Sequence, residues 1–183
     1  MTAEAEQDTL WPGSYARGNQ NAYPGLSTRK HPGAQVTISL NAQNTLFEDV
    51  YQRQHIEACG ILLGHSDDYG NWYIEQAHPL PNIFNSPVYF EFAPEDLLAV
   101  ELDHPGQIVG VYHSHPTGFA VASSTDCENM KRVNVEQQIP WLWLIISGPF
   151  DETFQLEQKP PVIAYHHYEE LGLQEIAIQF EES

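Results

Sequence analysis

Two histidines two residues apart, His113 and His115, and a carboxylate eleven positions beyond the second, Asp126, are the side chains of this sequence best spaced to act together. On a β-strand, residues i and i+2 face the same side. The run Val111-Tyr112-His113-Ser114-His115 reads as the end of a strand that Pro116 stops, so both imidazoles reach one side of a sheet, at its edge or mouth. Asp126 falls in the first turn of a helix opened by Ser123. Two imidazoles and one carboxylate form the ligand set of a catalytic zinc ion, which keeps its fourth position open for water. Such an ion lowers the pKa of water towards about 7 and polarises a carbonyl. Hydrolysis also needs a group that accepts a proton. Glu57 stands just ahead of the apolar run Ala58-Cys59-Gly60-Ile61-Leu62-Leu63-Gly64, where a carboxylate is costly unless paired or used.

Each part has a plainer reading. An isolated His-x-His usually binds nothing. Ser123-x-x-Asp126 also describes an ordinary helix N-terminus, with Ser123 as cap and an acid in the first turn. Glu57 also reads as a solvent-facing residue at a helix end, and Ser114 as a structural hydrogen-bonding group. Cys59 reads as core. Cys127 neighbours Asp126 but is offset by one residue on a helix, and so points elsewhere. His166-His167 reads as strand or surface, and His78 and His104, each before a proline, as turn residues. Trp141 and Trp143 face together on a strand, as core.

The elements needed to position these groups are legible in the text. QVTISL from Gln35 alternates and is β-branched, the mark of a strand. Asn41 or Asn44 can cap a helix reaching about His55, with Leu46, Val50 and Tyr51 inward. EACGILLGH is an apolar strand closed by Gly64, and NWYIEQAHPL is a further one. Residues 79–92 are rich in Pro and Asn and end in VYFEF. The part from Pro79 to Tyr89 reads as a flap over the cleft. Ala93-Pro94-Glu95-Asp96 opens a second helix carrying Leu97, Leu98, Val100 and Leu102. QIVGVYHSH is a core strand, Ser123 starts a third helix over SSTDCENMKRVNVEQQ, and WLWLIISG is a strand stopped by Pro149. Residues 153–168 and 173–180 supply two or three more strands. Strands separated by helical segments predict an α/β layered fold around a mixed sheet with about three helices.

The 183 residues suit one domain, residues 34–183, preceded by a flexible or loosely docked N-terminal arm, residues 1–33, rich in Gly, Pro, Asn and Ser. No apolar run approaches the roughly 20 residues of a membrane span, and Met1–Leu10 does not resemble a secretory signal. Two cysteines make no disulfide framework, which points to a reduced, cytoplasmic protein. Seven Lys and Arg against 25 Asp and Glu give a net charge of −18. The arm holds three charges of each sign, so the whole excess lies in residues 34–183. Such a body repels phosphate backbones, which argues against nucleic acid as partner, and would attract a basic protein.

The joint pattern resembles the signature of the JAMM, or MPN+, metallopeptidases. That signature is a Glu heading an E-x-x-G-x-L-x-G strand, then H-[ST]-H-P, six residues, and S-x-x-D. Here it is carried by Glu57-Ala-Cys-Gly-Ile-Leu-Leu-Gly64, His113-Ser-His-Pro116, TGFAVA, and Ser123-Ser-Thr-Asp126. The likeness covers roughly residues 34–180. Ala122 departs from the proline usual before the serine, which removes no ligand. The resemblance implies a cytidine-deaminase-like layered fold with a curved mixed sheet. It implies one zinc ion per chain on His113, His115 and Asp126. Glu57 would be the general base and then the acid to the leaving amine, and the Ser123 hydroxyl would stabilise the oxyanion. It also implies cleavage after the C-terminal glycine of a ubiquitin-like protein. The compact spacing resembles stand-alone bacterial members, some of them in antiphage operons. The alternatives it leaves open are a hydrolase of sulfur-carrier proteins, a scaffold or binding module whose zinc site needs an activating protein partner, and a cell-wall or phage-tail hydrolase of the same fold. The arm favours the ubiquitin-like substrate, since a small metabolic version needs none.

Overall fold

The computed structural model describes residues 33–118, 121–150 and 159–182; the arm expected over residues 1–33 lies outside them except for Gly33. Among the described residues seven strands and three α-helices follow in chain order: β1 (Gln35–Ile38), α1 (Leu40–Gln52), β2 (Cys59–Ser66), β3 (Trp72–Leu80), α2 (Pro94–Asp103), β4 (Ile108–His115), α3 (Ser124–Lys131), β5 (Leu142–Ser147), β6 (Val162–Tyr168) and β7 (Gly172–Phe180). A turn of π-helix, Arg132–Glu136, continues α3. This is the α/β layered fold with a mixed sheet and three helices that the sequence predicts.

The sheet runs in the order β1-β3-β2-β4-β5-β6-β7 and closes because β1 pairs in parallel with both β3 and β7. β4 and β5 are also parallel, whereas β2 is antiparallel to β3 and β4. Closure satisfies the backbone of both ends of the sheet. His113 and His115 therefore sit at the C-terminal mouth of an interior strand, not at a sheet edge.

Alternation along the strands sorts the apolar side chains into two cores. On one side Leu62, Tyr112, Leu142, Leu144 and Ile146 pack with Ala42, Leu46 and Val50 of α1. On the other, Cys59, Ile61, Val111, Trp143 and Ile145 pack with Leu97 and Val100 of α2 and Met130 of α3. The period of two in β4 thus commits its odd-numbered end, His113 and His115, to the side where α3 lies.

The cap of α1 is Ser39, whose side chain accepts from the Ala42 amide, rather than Asn41 or Asn44. The hydroxyl also donates to Glu75 O on β3, so a cap one residue before the helix ties it to the sheet as well. On α2, Leu98 and Leu102 are exposed while Leu97 and Val100 are buried. His78 lies within β3, its ring meeting that of His104 at the end of α2, rather than in a turn.

Candidate active site

The register of β2 against β4 builds the site. Cys59 is opposite His113, and Ser114 N donates to Ala58 O at 2.8 Å, so the chain just before β2 runs beside the end of β4. Ala58 N in turn donates to Ser114 Oγ at 2.9 Å. Ser114 is fully buried and faces away from the His pair, in the structural role its position between them implies. The next residue back, Glu57, therefore comes to the mouth beside His115. After β4 the chain turns, and α3 starts beneath the same mouth.

The start of α3 is a capping box. Asp126 N donates to Ser123 Oγ at 3.1 Å, and Ser123 N donates to Asp126 Oδ2 at 2.7 Å. The Ser123 hydroxyl also donates to that oxygen at 2.7 Å. The plain helix-cap reading of Ser123-x-x-Asp126 is thus literally present. The cap also fixes the Asp126 side chain, and its carboxylate meets both imidazoles. Oδ1 lies 3.2 Å from His113 Nε2 and Oδ2 lies 3.4 Å from His115 Nε2, with the two Nε2 atoms 3.0 Å apart.

All three residues are buried. Burial pushes the His113 imidazole below its usual pKa, against the pull of Asp126, and so favours its neutral form. Burial alone would raise the Asp126 carboxyl. Hydrogen bonds to His113, His115 and Ser123 outweigh it and hold the carboxyl well below the usual range. Two ring nitrogens and a carboxylate therefore converge within 4.8 Å of one another. Phe90 stacks on His113 at 4.6 Å and seals one face of the ring. His113 Nδ1 is buried and has no hydrogen-bond partner among the described residues. Two imidazole nitrogens, that of His113 held neutral, and an ionised carboxylate face one another; such a set suits a divalent ion of borderline softness and fits zinc.

Glu57 is 6% exposed. Desolvation pushes its carboxyl up to about 7, with His115 pulling down and Asp126 pushing up. It lines an open cleft together with His115, Ser123 and Asp126. Pro87, Val88 and Tyr89 from the β3–α2 connection also line it, together with Val121 ahead of α3 and Asn129 on α3. Part of the expected flap, Pro79 and Leu80, belongs instead to β3, but its later residues do border the cleft.

The structure brings Glu57, His113, His115, Ser123 and Asp126 to one place. It leaves Cys59 buried in the core, His166 buried on β6, and Trp141 and Trp143 in the second core. Sequence reasoning missed Phe90 and Asn82. The alternation of Val88-Tyr-Phe-Glu-Phe92 carried a signal for the first, since Phe90 and Phe92 are its two buried positions. Nothing local marks the tie of Asn82 to Glu57 O, 25 positions away in sequence.

Residues 41–158 match the model of prokaryotic homologs of the JAB domain. Among curated proteins, a desampylase of Pyrococcus furiosus is 32% identical over 101 residues, which are 54% of this chain and 64% of that protein. An NAD(+) hydrolase, TcpA, of a Theionarchaea archaeon is 31% identical over 99 residues, 53% of this chain and 29% of that protein. The chain thus spans less than two thirds of the length of either relative. A solution structure of a protein from Desulfitobacterium hafniense superposes with a TM-score of 0.62 at 24% identity, covering 81% of this chain and 94% of that one. That likeness concerns the fold.

Proposed function

This chain belongs to the prokaryotic homologs of the JAB domain, within the JAMM/MPN family, and from that premise we propose that it is a zinc-dependent isopeptidase or peptidase. Its substrate would be a ubiquitin-like protein, cut after the C-terminal glycine in deconjugation or precursor processing. The observation that carries this reading is the convergence of His113, His115 and Asp126 beside a buried, desolvated Glu57 on the wall of one cleft. The desampylase of Pyrococcus furiosus supports the substrate class.

In this reading His113, His115 and Asp126 hold the ion. When bound there, zinc would supply Lewis acidity to a water and to the scissile carbonyl. Glu57 takes the proton from the attacking water and returns it to the leaving amine. Its environment suits both halves of that task, since a carboxyl raised to about 7 accepts and releases protons near neutrality. Ser123 donates to the carbonyl oxygen as it gains charge. Its hydroxyl can turn to the cleft at little cost, because Ser123 N continues to satisfy Asp126 Oδ2. The body's negative charge favours encounter with a basic partner. No helix among the described residues is long and apolar enough to cross a membrane, and we place the protein in the cytoplasm.

The test measures metal content and cleavage together. Wild type and Glu57→Gln are purified, their zinc is measured by mass spectrometry, and each is incubated with ubiquitin-like proteins fused at the C-terminal glycine to a reporter. One zinc per chain and chelator-sensitive cleavage by wild type alone is the expected result. A chain that binds no zinc, or a Glu57→Gln enzyme of normal rate, overturns the reading. Sulfur-carrier fusions in the same assay decide between the two substrate classes.

A further inference from the structure

The backbone of Glu57 is held from both sides by the β3–α2 connection rather than by a strand. β2 begins only at Cys59. Glu57 N donates to Ser86 O at 2.8 Å, and Glu57 O accepts from Asn82 Nδ2 at 3.1 Å. The same amide nitrogen donates to Tyr89 O at 2.9 Å, and Asn82 Oδ1 accepts from Phe84 N at 3.1 Å. Asn82 is 3% exposed. Both of its amide protons and its carbonyl oxygen are therefore engaged. One buried side chain ties together the two ends of the loop from 82 to 89 and the carbonyl of Glu57.

The outer side of that loop is bare. Phe84 is 54% exposed and Val88 is 72% exposed, while Pro87, Val88 and Tyr89 border the cleft that Glu57 also lines. Val88 and Tyr89 thus present a cleft-side surface to an extended substrate tail. Tyr89 O and Glu57 O share one amide group, so ordering the loop also orders the base.

We propose that Asn82 is a positioning residue which couples seating of an extended peptide on residues 87–89 to the placement of Glu57 for proton transfer. The proposal rests on the peptidase reading above. Its physical basis is the use of remote binding energy to orient a reacting group. Substrates lacking the remote part then lose kcat and not merely affinity, and a misplacement of about 1 Å costs roughly 100-fold.

The experiment compares two reporters on the zinc-loaded full chain: an acetylated hexapeptide ending in Gly-Gly linked to aminomethylcoumarin, and Gly-Gly alone on the same fluorophore. In wild type the long tail should raise kcat by about tenfold or more over the short one. In Asn82→Ala and Asn82→Ser the ratio should fall to about twofold with zinc content intact, the greater loss falling on kcat of the long reporter. An equal loss on both reporters means structural support only, and an unchanged ratio means no coupling; either overturns the proposal. A second measurement needs no variant. Hydrogen exchange of the wild-type Glu57 and Ala58 amides should slow several-fold when the free hexapeptide acid is added, and unaltered exchange overturns the proposal. A wild type that cleaves neither reporter nor a full ubiquitin-like fusion overturns the peptidase reading itself, which separates the two failures.

Discussion

Two clusters of buried polar groups flank the same stretch of β2 and β4, and they are built on opposite terms. On the α1 side, Arg53 Nε donates to Asp49 Oδ1 at 2.8 Å and its Nη2 to Asp49 Oδ2, while Tyr112 OH donates to Asp49 Oδ2 at 2.8 Å. Two further guanidinium protons go to Leu80 O at 2.7 Å and Cys59 O at 2.8 Å. Every charge there has its partner. On the α3 side, two imidazole nitrogens face each other at 3.0 Å, His113 Nδ1 has no partner among the described residues, and desolvation of the Glu57 carboxyl outweighs the pull of His115. A fully satisfied network fixes a fold. One whose lone pairs converge on a common point is an expensive arrangement unless something binds there. Two clusters equally polar in the sequence thus differ in whether the protein completes them by itself.

The largest effect that would sharpen this contrast comes from the incomplete cluster. His113→Ala or Asp126→Ala should abolish stoichiometric zinc and reduce cleavage by about 10⁴-fold or more, the order that separates a catalysed hydrolysis from its residual background. Mass spectrometry and the fusion assay read both. In the metal-free protein Asp126→Ala also removes the capping-box acceptor of Ser123, so stability should fall by about 1 kcal/mol, well short of the loss expected at Asp49. A large loss of metal-free stability would break the comparison.

Glu57→Gln should come next. It keeps the shape and the backbone contacts to Ser86 and Asn82, removes the proton acceptor, and should retain zinc while cutting kcat by roughly 10²–10⁴-fold with KM little moved. A matching loss of zinc would make Glu57 a ligand instead of a base.

The complete cluster predicts the reverse pattern. Asp49→Ala leaves the Arg53 guanidinium without its carboxylate and Tyr112 OH without an acceptor. Breaking a buried pair from one side costs about 3 kcal/mol or more, somewhat reduced here because Arg53 is 21% exposed. In a chain of this size that is a fall of roughly 6–12 °C in melting temperature. Zinc stoichiometry should stay at one, and kcat should change far less than in Glu57→Gln. An Asp49→Ala protein of unchanged stability and lost metal would overturn the division between the two clusters.

How much of this was legible in the sequence follows from which contacts are local. The period of two in β4 fixed the common face of His113 and His115. The Ser123-x-x-Asp126 spacing announced both the cap and the ligand, because one geometry serves both. Gly60 stands opposite Tyr112, and a Cβ there would come within 2.5 Å of the Tyr112 ring. Its place in the signature is therefore also the opening through which Tyr112 reaches Asp49. What was not legible is long-range register. The sequence separations of 56 from Ala58 to Ser114 and of 25 from Glu57 to Asn82 leave no periodic trace of those hydrogen bonds. Closure of the sheet was equally hidden, since it depends on β1 meeting β7, at opposite ends of the domain.

The smallest effect tests whether a complete buried polar group also leaves a mark on pH dependence. His166 is 6% exposed on β6, its Nδ1 lies 3.0 Å from Trp141 O, and its ring sits between Trp72 at 5.2 Å and Tyr168 at 4.6 Å. Burial pushes its pKa down to about 4, against the pull of the Trp141 carbonyl. The folded value lies below the unfolded one, so the folded state prefers the neutral ring. Its contribution is present above about pH 6.5 and is lost as pH falls from there through about 4, because the unfolded chain then binds a proton that the folded chain refuses. The slope should approach about 1.4 kcal/mol per pH unit in that window. His166→Phe fills the aromatic slot without titrating, so urea unfolding at pH 7.5 and at pH 5 should show a difference between variant and wild type that shrinks or reverses on acidification. Parallel curves at both pH values would mean that the ring accepts its proton in place, and that burial beneath Trp72 does not by itself keep a histidine neutral.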